Sequence, residues 1–438
     1  MPEKHDQMQL SAPSRPLVSR RALGAWLVLL ATLPFGLRSY HRSDRIGIGT
    51  WNPGELMGVN YRTYHYAAER ARDGQPFYDA PPPDTYSWAV YLYPPGTLPG
   101  FYPFSVFDWT TGYAALTLLS VLAAGAATWL LVRHVESLGP QLGWVDVGLV
   151  FVVFLLSTHA FGTIFFGNIN ILLALGLVVG LWALARERES LAGASFALTA
   201  LFKLFPALIG LWLLRTQRWR ATAAAILTGL GGLLLGVLLY GLGPTRYYFT
   251  EVVTGRSEAE LFVGGYPVGS TFYVTIQRPV SHVVAAVWPS APYLVIVGVS
   301  VLVCAGVLAY FYRDLETELD RQMAVFATVV VMVVIVPSLH WYLVFLFVPM
   351  VILVYLWREG PGRYLFLAGG VLSSVTGTTA DTLHYLGKAP DLLESVGRPI
   401  AIAATPHMYG ILLMLVACGW HKYRRDTGQS RGSSIRMP

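Results

Sequence analysis

The sequence predicts an all-α polytopic membrane protein, and three observations carry that prediction. The 438 residues are 54% hydrophobic and 13% charged, with a mean hydropathy of +0.51. A soluble domain averages about 25% charged residues. Apolar runs recur at the length of about 20 residues that crosses a bilayer. Basic residues gather on one predicted side of these runs, as the positive-inside rule requires. The same composition excludes an ordinary soluble enzyme, a disordered chain and a coiled coil. The net charge of +6 is not clustered on a soluble module, which argues against nucleic-acid binding. Cys304 and Cys418 lie in apolar runs and offer neither a disulfide framework nor a thiolate metal site.

A polar tail, 1–21, ends in Arg15, Arg20 and Arg21 and precedes a span at 22–38. That span has no small-residue cleavage site, so it reads as a signal anchor. A first outer loop, 39–107, is followed by spans at 108–132, 144–163 and 169–185. The stretch 190–215 is apolar but broken by Lys203 and Pro206, with Arg186 and Arg188 before it and Arg215, Arg218 and Arg220 after it. A single span would put one cluster on the wrong side. A broken helical hairpin with Lys203 near its tip keeps both inside, and such breaks are tolerated where they line a polar cavity. A span at 221–242, a second outer loop at 243–289, spans at 290–312, 322–338, 341–357 and 363–380, a third outer loop at 381–400 and a span at 401–420 complete the pattern. The expected architecture is about 12 transmembrane or re-entrant helices over 22–420, with a cytoplasmic tail at 421–438. Arg133, Arg313, Arg321, Arg358, Arg363, Lys422, Arg424 and Arg425 then share the inner face with both termini, in a multi-pass protein of the cell membrane. No inverted repeat of the transporter kind is evident.

The first outer loop holds the most information. Asn60 to Arg72 reads as a helix stopped by Gly74, and Pro81-Pro82-Pro83 and Pro94-Pro95 force turns and extended backbone. Its many Tyr and Trp residues suit the membrane interface whatever else they do. A connector of this length is either functional or disordered, and this one is too aromatic for disorder.

Several residues stand out for chemistry. Lys203, inside an apolar hairpin, costs about 2.5–3.5 kcal/mol to insert, which marks it as functional unless it snorkels or pairs with a carbonyl. Arg256 and Arg278 in the second outer loop are further phosphate candidates, or solvated loop charges. His340, beside Pro337 at an outer boundary, can serve as a base, bind phosphate or be structural. His159 and His384 rank below it. Asn168 and Asn170 open a span beside Gly167, as helix caps or as partners of sugar hydroxyls. Glu55 follows the tight turn Trp51-Asn52-Pro53-Gly54, which holds a carboxylate at the interface. No metal-ligand cluster, P-loop or dinucleotide fingerprint occurs, so no metal, nucleotide or other cofactor is expected.

Taken in order, these motifs resemble a known family. Asn60-Tyr61-x-x-Tyr64-x-x-Ala67-Ala68, Asp73-Gly74-x-x-Phe77-Tyr78 and Tyr93-Pro94-Pro95 are similar to the first outer loop of glycosyltransferase family 87. These are membrane glycosyltransferases of the GT-C type, which include polyprenyl-phosphate-mannose-dependent mannosyltransferases. Gly167-Asn168-x-Asn170, Lys203-x-x-Pro206 and Pro337-Ser338-Leu339-His340-Trp341-Tyr342 resemble later family motifs, and the likeness covers roughly 45–357.

The resemblance implies transfer of a hexose, mannose foremost, from a polyprenyl or dolichyl phosphate sugar to a glycan or glycolipid acceptor on the outer membrane face. It implies Glu55, Asn60 and His340 as catalytic candidates. Tyr64, Tyr93, Asn168, Asn170, Lys203, Arg256, Arg278 and Trp341 become candidates for substrate binding. One departure matters: Asn60 stands where the family loop has an Asp proposed as general base, and an amide does not accept the proton of an attacking hydroxyl. Three readings stay open: another carboxylate serves (Glu55, then Asp73, Asp79 and Asp84), the motif is shifted, or the chain binds lipid-linked sugar without cleaving it. A transporter or flippase of such lipids is a further competitor, but it calls for polar residues through the depth of several spans, where this chain has little besides Lys203 and Asp146.

Overall fold

The computed structural model describes residues 15–18, 22–40, 56–255, 262–265, 273–374, 387–388 and 390–426. It is helical almost throughout, because backbone groups in lipid must find partners within their own segment. The helices are α1 (Ala22–Tyr40), α2 (Val59–Arg72), α3 (Trp109–Ser137), α4 (Trp144–Leu156), α5 (Thr158–Phe165) and α6 (Asn170–Leu184). They continue as α7 (Glu189–Phe202), α8 (Ile209–Arg215), α9 (Trp219–Tyr240), α10 (Leu242–Tyr247), α11 (Gln277–Val287) and α12 (Tyr293–Tyr312). The last are α13 (Glu318–Val334), α14 (Phe347–Leu356), α15 (Pro361–Ser373), α16 (Asp391–Ala403) and α17 (Pro406–Asp426). Two short strands, β1 (Tyr273–Val274) and β2 (Ser338–Leu339), pair antiparallel, Tyr273 opposite Leu339.

Among the described residues, α3, α9 and α12 are long and apolar enough to cross a membrane; counting the bent pairs α4–α5 (45°) and α16–α17 (81°) makes five. Other apolar helices are shorter: the 15 residues of α6 span about 22 Å. The chain is a helical, polytopic membrane protein. Its core lies around α13 and α14, buried from Gln322 to Val334 and from Phe347 to Tyr355. Helices that are apolar all round belong in the middle of a large fold. By contrast, α9 is equally apolar yet exposes Leu227, Leu230 and Leu238, which suits a lipid-facing helix.

Two close approaches position the first loop. Gly167 has a φ of +67°, and a Cβ there would stand 2.7 Å from Tyr61 Cβ, so only glycine lets α2 start against this turn. The Gly58 and Asn60 N–H groups, at the start of α2, donate to the carbonyls of Phe165 and Phe166 at 2.7 and 2.9 Å. The end of α5 thereby satisfies donors that a helix start leaves open. Farther along, Gly96 packs directly on the backbone of α9 at Gly232, where a Cβ would run into a carbonyl.

The α6–α8 segment folds back on itself. From Glu189, α7 runs to Phe202, and Lys203 then turns extended (φ −141°, ψ 122°). Pro206 follows, which lacks a donor and ends the helical ladder. A 3-10 turn (Phe205–Leu208) leads into α8. Arg218, just past α8, bonds Glu189 at 3.0 Å, and Arg215 donates to the carbonyls of Tyr312 and Arg313 at 2.7 and 3.2 Å. The two arms therefore begin and finish together, with Lys203 at their far end. Another buried charge, Asp146 in the first turn of α4, accepts from Trp26 Nε1 (3.1 Å), Tyr355 hydroxyl (2.9 Å) and Gly143 N–H (2.9 Å). It knots α1, α4 and α14 together.

Candidate functional site

Four segments converge at the Lys203 end. Lys203 is buried; its Nζ donates to Asn168 Oδ1 at 3.3 Å and lies 3.8 Å from the centre of the Tyr342 ring. An ammonium over an aromatic face is attracted by the ring quadrupole, the more so where water is excluded. The segment that supplies Tyr342 starts at β2 and continues as a 3-10 helix, His340–Leu346. Its second residue, Trp341, packs against Phe166 with ring centres 4.6 Å apart. The Trp341 carbonyl accepts long bonds from Asn170 Nδ2 and the Thr163 hydroxyl, both 3.4 Å. Asn170 Oδ1 and Trp341 Nε1 are buried and have no hydrogen-bond partner among the described residues. A buried acceptor and a buried donor left unsatisfied are costly in an apolar surround. Together they offer what a sugar hydroxyl needs.

An aromatic wall closes the loop side. The hydroxyls of Tyr64 and Tyr93 bond each other at 2.8 Å, and Tyr64 stacks on Phe101 at 4.6 Å. Tyr93 and Phe101 each meet Phe202, the neighbour of Lys203, edge-on at 6.0 Å. Burial pushes the Tyr78 hydroxyl of the loop up, and burial with Glu69 nearby does the same for Tyr61. Both therefore act as neutral hydrogen-bonding groups, Tyr78 to the Tyr93 carbonyl at 2.7 Å and Tyr61 to the Phe104 carbonyl at 3.1 Å.

Behind His340 stand His159 of α5 and His407 of α17, ring centres 5.5–6.1 Å apart pairwise. Sequence spacing gave no hint of this cluster. The three histidines are far apart in the chain, and each by itself reads as a lone helix-end histidine. In the sequence Tyr342 stands only as part of a motif, whereas in the structure its ring is what Lys203 touches.

The other candidates separate clearly. Asn60 is half-buried in the first turn of α2, held through its backbone to Phe166. Glu55 and Arg256 lie outside the described residues. Asp73, Asp79 and Asp84 are exposed. Glu69 faces His65 at 3.4 Å. Asp108 caps α3 through the Thr111 N–H and the Thr110 and Thr111 hydroxyls, and these bonds, the backbone one foremost, hold its carboxyl below the usual range. Arg278 departs from the expectation of a loop phosphate ligand. It is buried, and its guanidinium donates to the carbonyls of Ile402 (2.9 Å) and Ala401 (3.2 Å) at the end of α16. A cation there satisfies open carbonyls and the negative end of the helix.

A buried cation, two amides and a tryptophan thus lie together under an aromatic loop in a helical membrane fold. Residues 91–337 match glycosyltransferase family 87, and the chain belongs to that family. It is similar to a polyprenol-phosphate-mannose-dependent alpha-(1-2)-phosphatidylinositol pentamannoside mannosyltransferase of Mycobacterium tuberculosis (strain CDC 1551 / Oshkosh). The two are 25% identical over 261 residues, 58% of this chain and 55% of that one. A protein of the same description from Mycolicibacterium smegmatis (strain ATCC 700084 / mc(2)155) is 25% identical over 350 residues, 76% of this chain and 77% of that one. The chain thus spans about half the length of the first relative. No solved structure matches significantly.

Proposed function

We propose that this protein transfers a hexose, mannose foremost, from a polyprenyl or dolichyl phosphate sugar to a glycan or glycolipid acceptor on the outer membrane face. The observation that carries the reading is the buried Lys203 ammonium, held by Asn168 and the Tyr342 ring beside the unsatisfied Asn170 and Trp341 atoms. In the step proposed, the acceptor oxygen attacks the anomeric carbon and forms the glycosidic bond. The bond from that carbon to the phosphate oxygen breaks, and polyprenyl phosphate leaves with the electron pair. Lys203 stabilises the charge that grows on the phosphate, the kind of effect worth about 10²–10³-fold in rate. Asn168, Asn170 and Trp341 orient the sugar. The acceptor proton goes to His340 or Glu55, since the Asn60 amide does not take it. The names of both relatives, which give a polyprenol-phosphate-mannose donor, support the choice of lipid and sugar.

The Asn60 departure favours one second reading, a relative that holds lipid-linked sugar without cleaving it. The flippase reading loses support, because Asp146 is taken up by three donors in a structural knot. Membranes containing the chain, given radiolabelled polyprenyl phosphomannose and polyprenyl phosphoglucose with lipid and glycan acceptors, test the proposal. Transfer that falls in Glu55→Gln or His340→Ala names the base. Bound donor with no transfer, gained only in Asn60→Asp, establishes the non-cleaving reading instead.

A further inference from the structure

The end of the molecule opposite Lys203 holds a cavity apart from the proposed transfer site. The 3-10 helix and α14 carry the chain from His340 to Leu356, and the bases of α7 and α8 meet the end of α12 at that same far end. There, a cavity of about 560 Å³ opens between the α14–α15 turn and the last turns of α17. Trp357, Arg358, Glu359, Trp420, Arg424 and Arg425 line it.

Its chemistry is cationic over an aromatic floor. Three arginines face one carboxylate among these lining residues. Arg425 also pairs with the buried Asp320 of α13, which fixes it in place. Arg424 lies over the Trp420 ring at 5.5 Å, and Arg358 is exposed at the rim. Trp357 is buried and packs edge-on against His421 at 5.2 Å. Independently of these side chains, α15 begins here with Gly360 as cap and Pro361 first, and the cap supplies no side-chain acceptor. The open N–H groups and the positive end of a 13-residue helix therefore face the same cavity. Leu319, Leu356 and half-exposed Trp420 form an apolar side. Such a rim suits an acyl-glycerol unit better than bulk water.

We propose that this cavity binds the phosphate of an anionic membrane lipid, with the headgroup between Arg358 and Arg424 and the glycerol and acyl chains along Trp420. Basic pockets between membrane helices take lipid headgroups in this way. The shared chemistry is a phosphate, and the two sources of it, lipid and free ion, are separable. The site is independent of the transfer reaction, so its test does not involve sugar transfer.

The full chain in nanodiscs of phosphatidylcholine, with and without phosphatidylglycerol, is analysed by native mass spectrometry and by thermal unfolding. Wild type is expected to retain phosphatidylglycerol and to unfold at a higher temperature in its presence. R358Q/R424Q is expected to lose retention by about fivefold per arginine removed. R358K/R424K keeps most of it, and R321Q, on the same end but outside the cavity, keeps all of it. If the double variant does not fold, R358Q alone decides, because Arg358 is exposed and its loss leaves the fold intact. Undiminished phosphatidylglycerol retention in R358Q/R424Q overturns the proposal. Inorganic phosphate that reproduces the whole thermal shift overturns the lipid as the ligand.

Discussion

Lys203 and Arg278 are both cations buried in an apolar protein, yet their surroundings differ in kind. Arg278 meets two carbonyls at the end of α16, groups that a helix terminus always leaves open. Lys203 meets a side-chain amide at 3.3 Å and an aromatic face, in a break that the helix does not need for its own closure. A buried charge is costly wherever it sits. Arg278 offsets that cost by finishing another helix, so its value is structural. Lys203 has partners that an arriving phosphate can join or replace, which is why the proposal gives it a binding role. The lesson is that a buried cation is read from what it touches, and sequence spacing does not supply that.

Substitution is the direct way to break this comparison. Lys203→Met is expected to lower sugar transfer by about 10²-fold or more while leaving the unfolding temperature unchanged or raised; a large drop in stability would place Lys203 with Arg278. Arg278→Met is expected to cost about 2–4 kcal/mol, from two buried carbonyls losing charge-assisted bonds, read as a lower unfolding temperature with transfer per folded molecule retained. Gly167→Ala sharpens the comparison on the loop side. At φ +67° and facing Tyr61, the added Cβ is expected to cost about 1–2 kcal/mol, and to raise KM as α2 shifts away from the site. Smaller still, Trp341→Phe removes the unsatisfied Nε1–H together with part of the ring that packs on Phe166. Its expected effect is a roughly tenfold rise in KM for the donor, with a loss of stability of about 1 kcal/mol from the smaller ring.

Much of the fold was legible in the sequence. The helix over Val59–Arg72 and its stop at Gly74, the end of α7 at Phe202 and the change of course at Lys203 all follow from local rules: a left-handed glycine, and a proline that lacks a donor. Helix lengths were less legible. Hydropathy marks apolar residues without distinguishing a helix that crosses lipid, such as α9, from one packed inside the protein, such as α14. The grouping of candidate residues was legible where motif residues are close to structural breaks, as with Asn168, Lys203 and Trp341. It was not legible where only tertiary packing brings groups together. The His159–His340–His407 cluster and the Tyr342 ring under Lys203 are of that kind, and Arg278 looked like a loop ligand because nothing local announces the carbonyls of α16.

Binding of polyprenyl phosphate, the product that carries the charge but no sugar, tests the role of Lys203 most directly. Titrated into the purified chain and followed by tryptophan fluorescence, it should bind wild type and Arg278→Lys alike and bind Lys203→Met at least about tenfold more weakly, a difference of about 1.4 kcal/mol. Equal affinity in wild type and Lys203→Met would contradict a phosphate site at Lys203 and return that residue to a purely structural place in the hairpin.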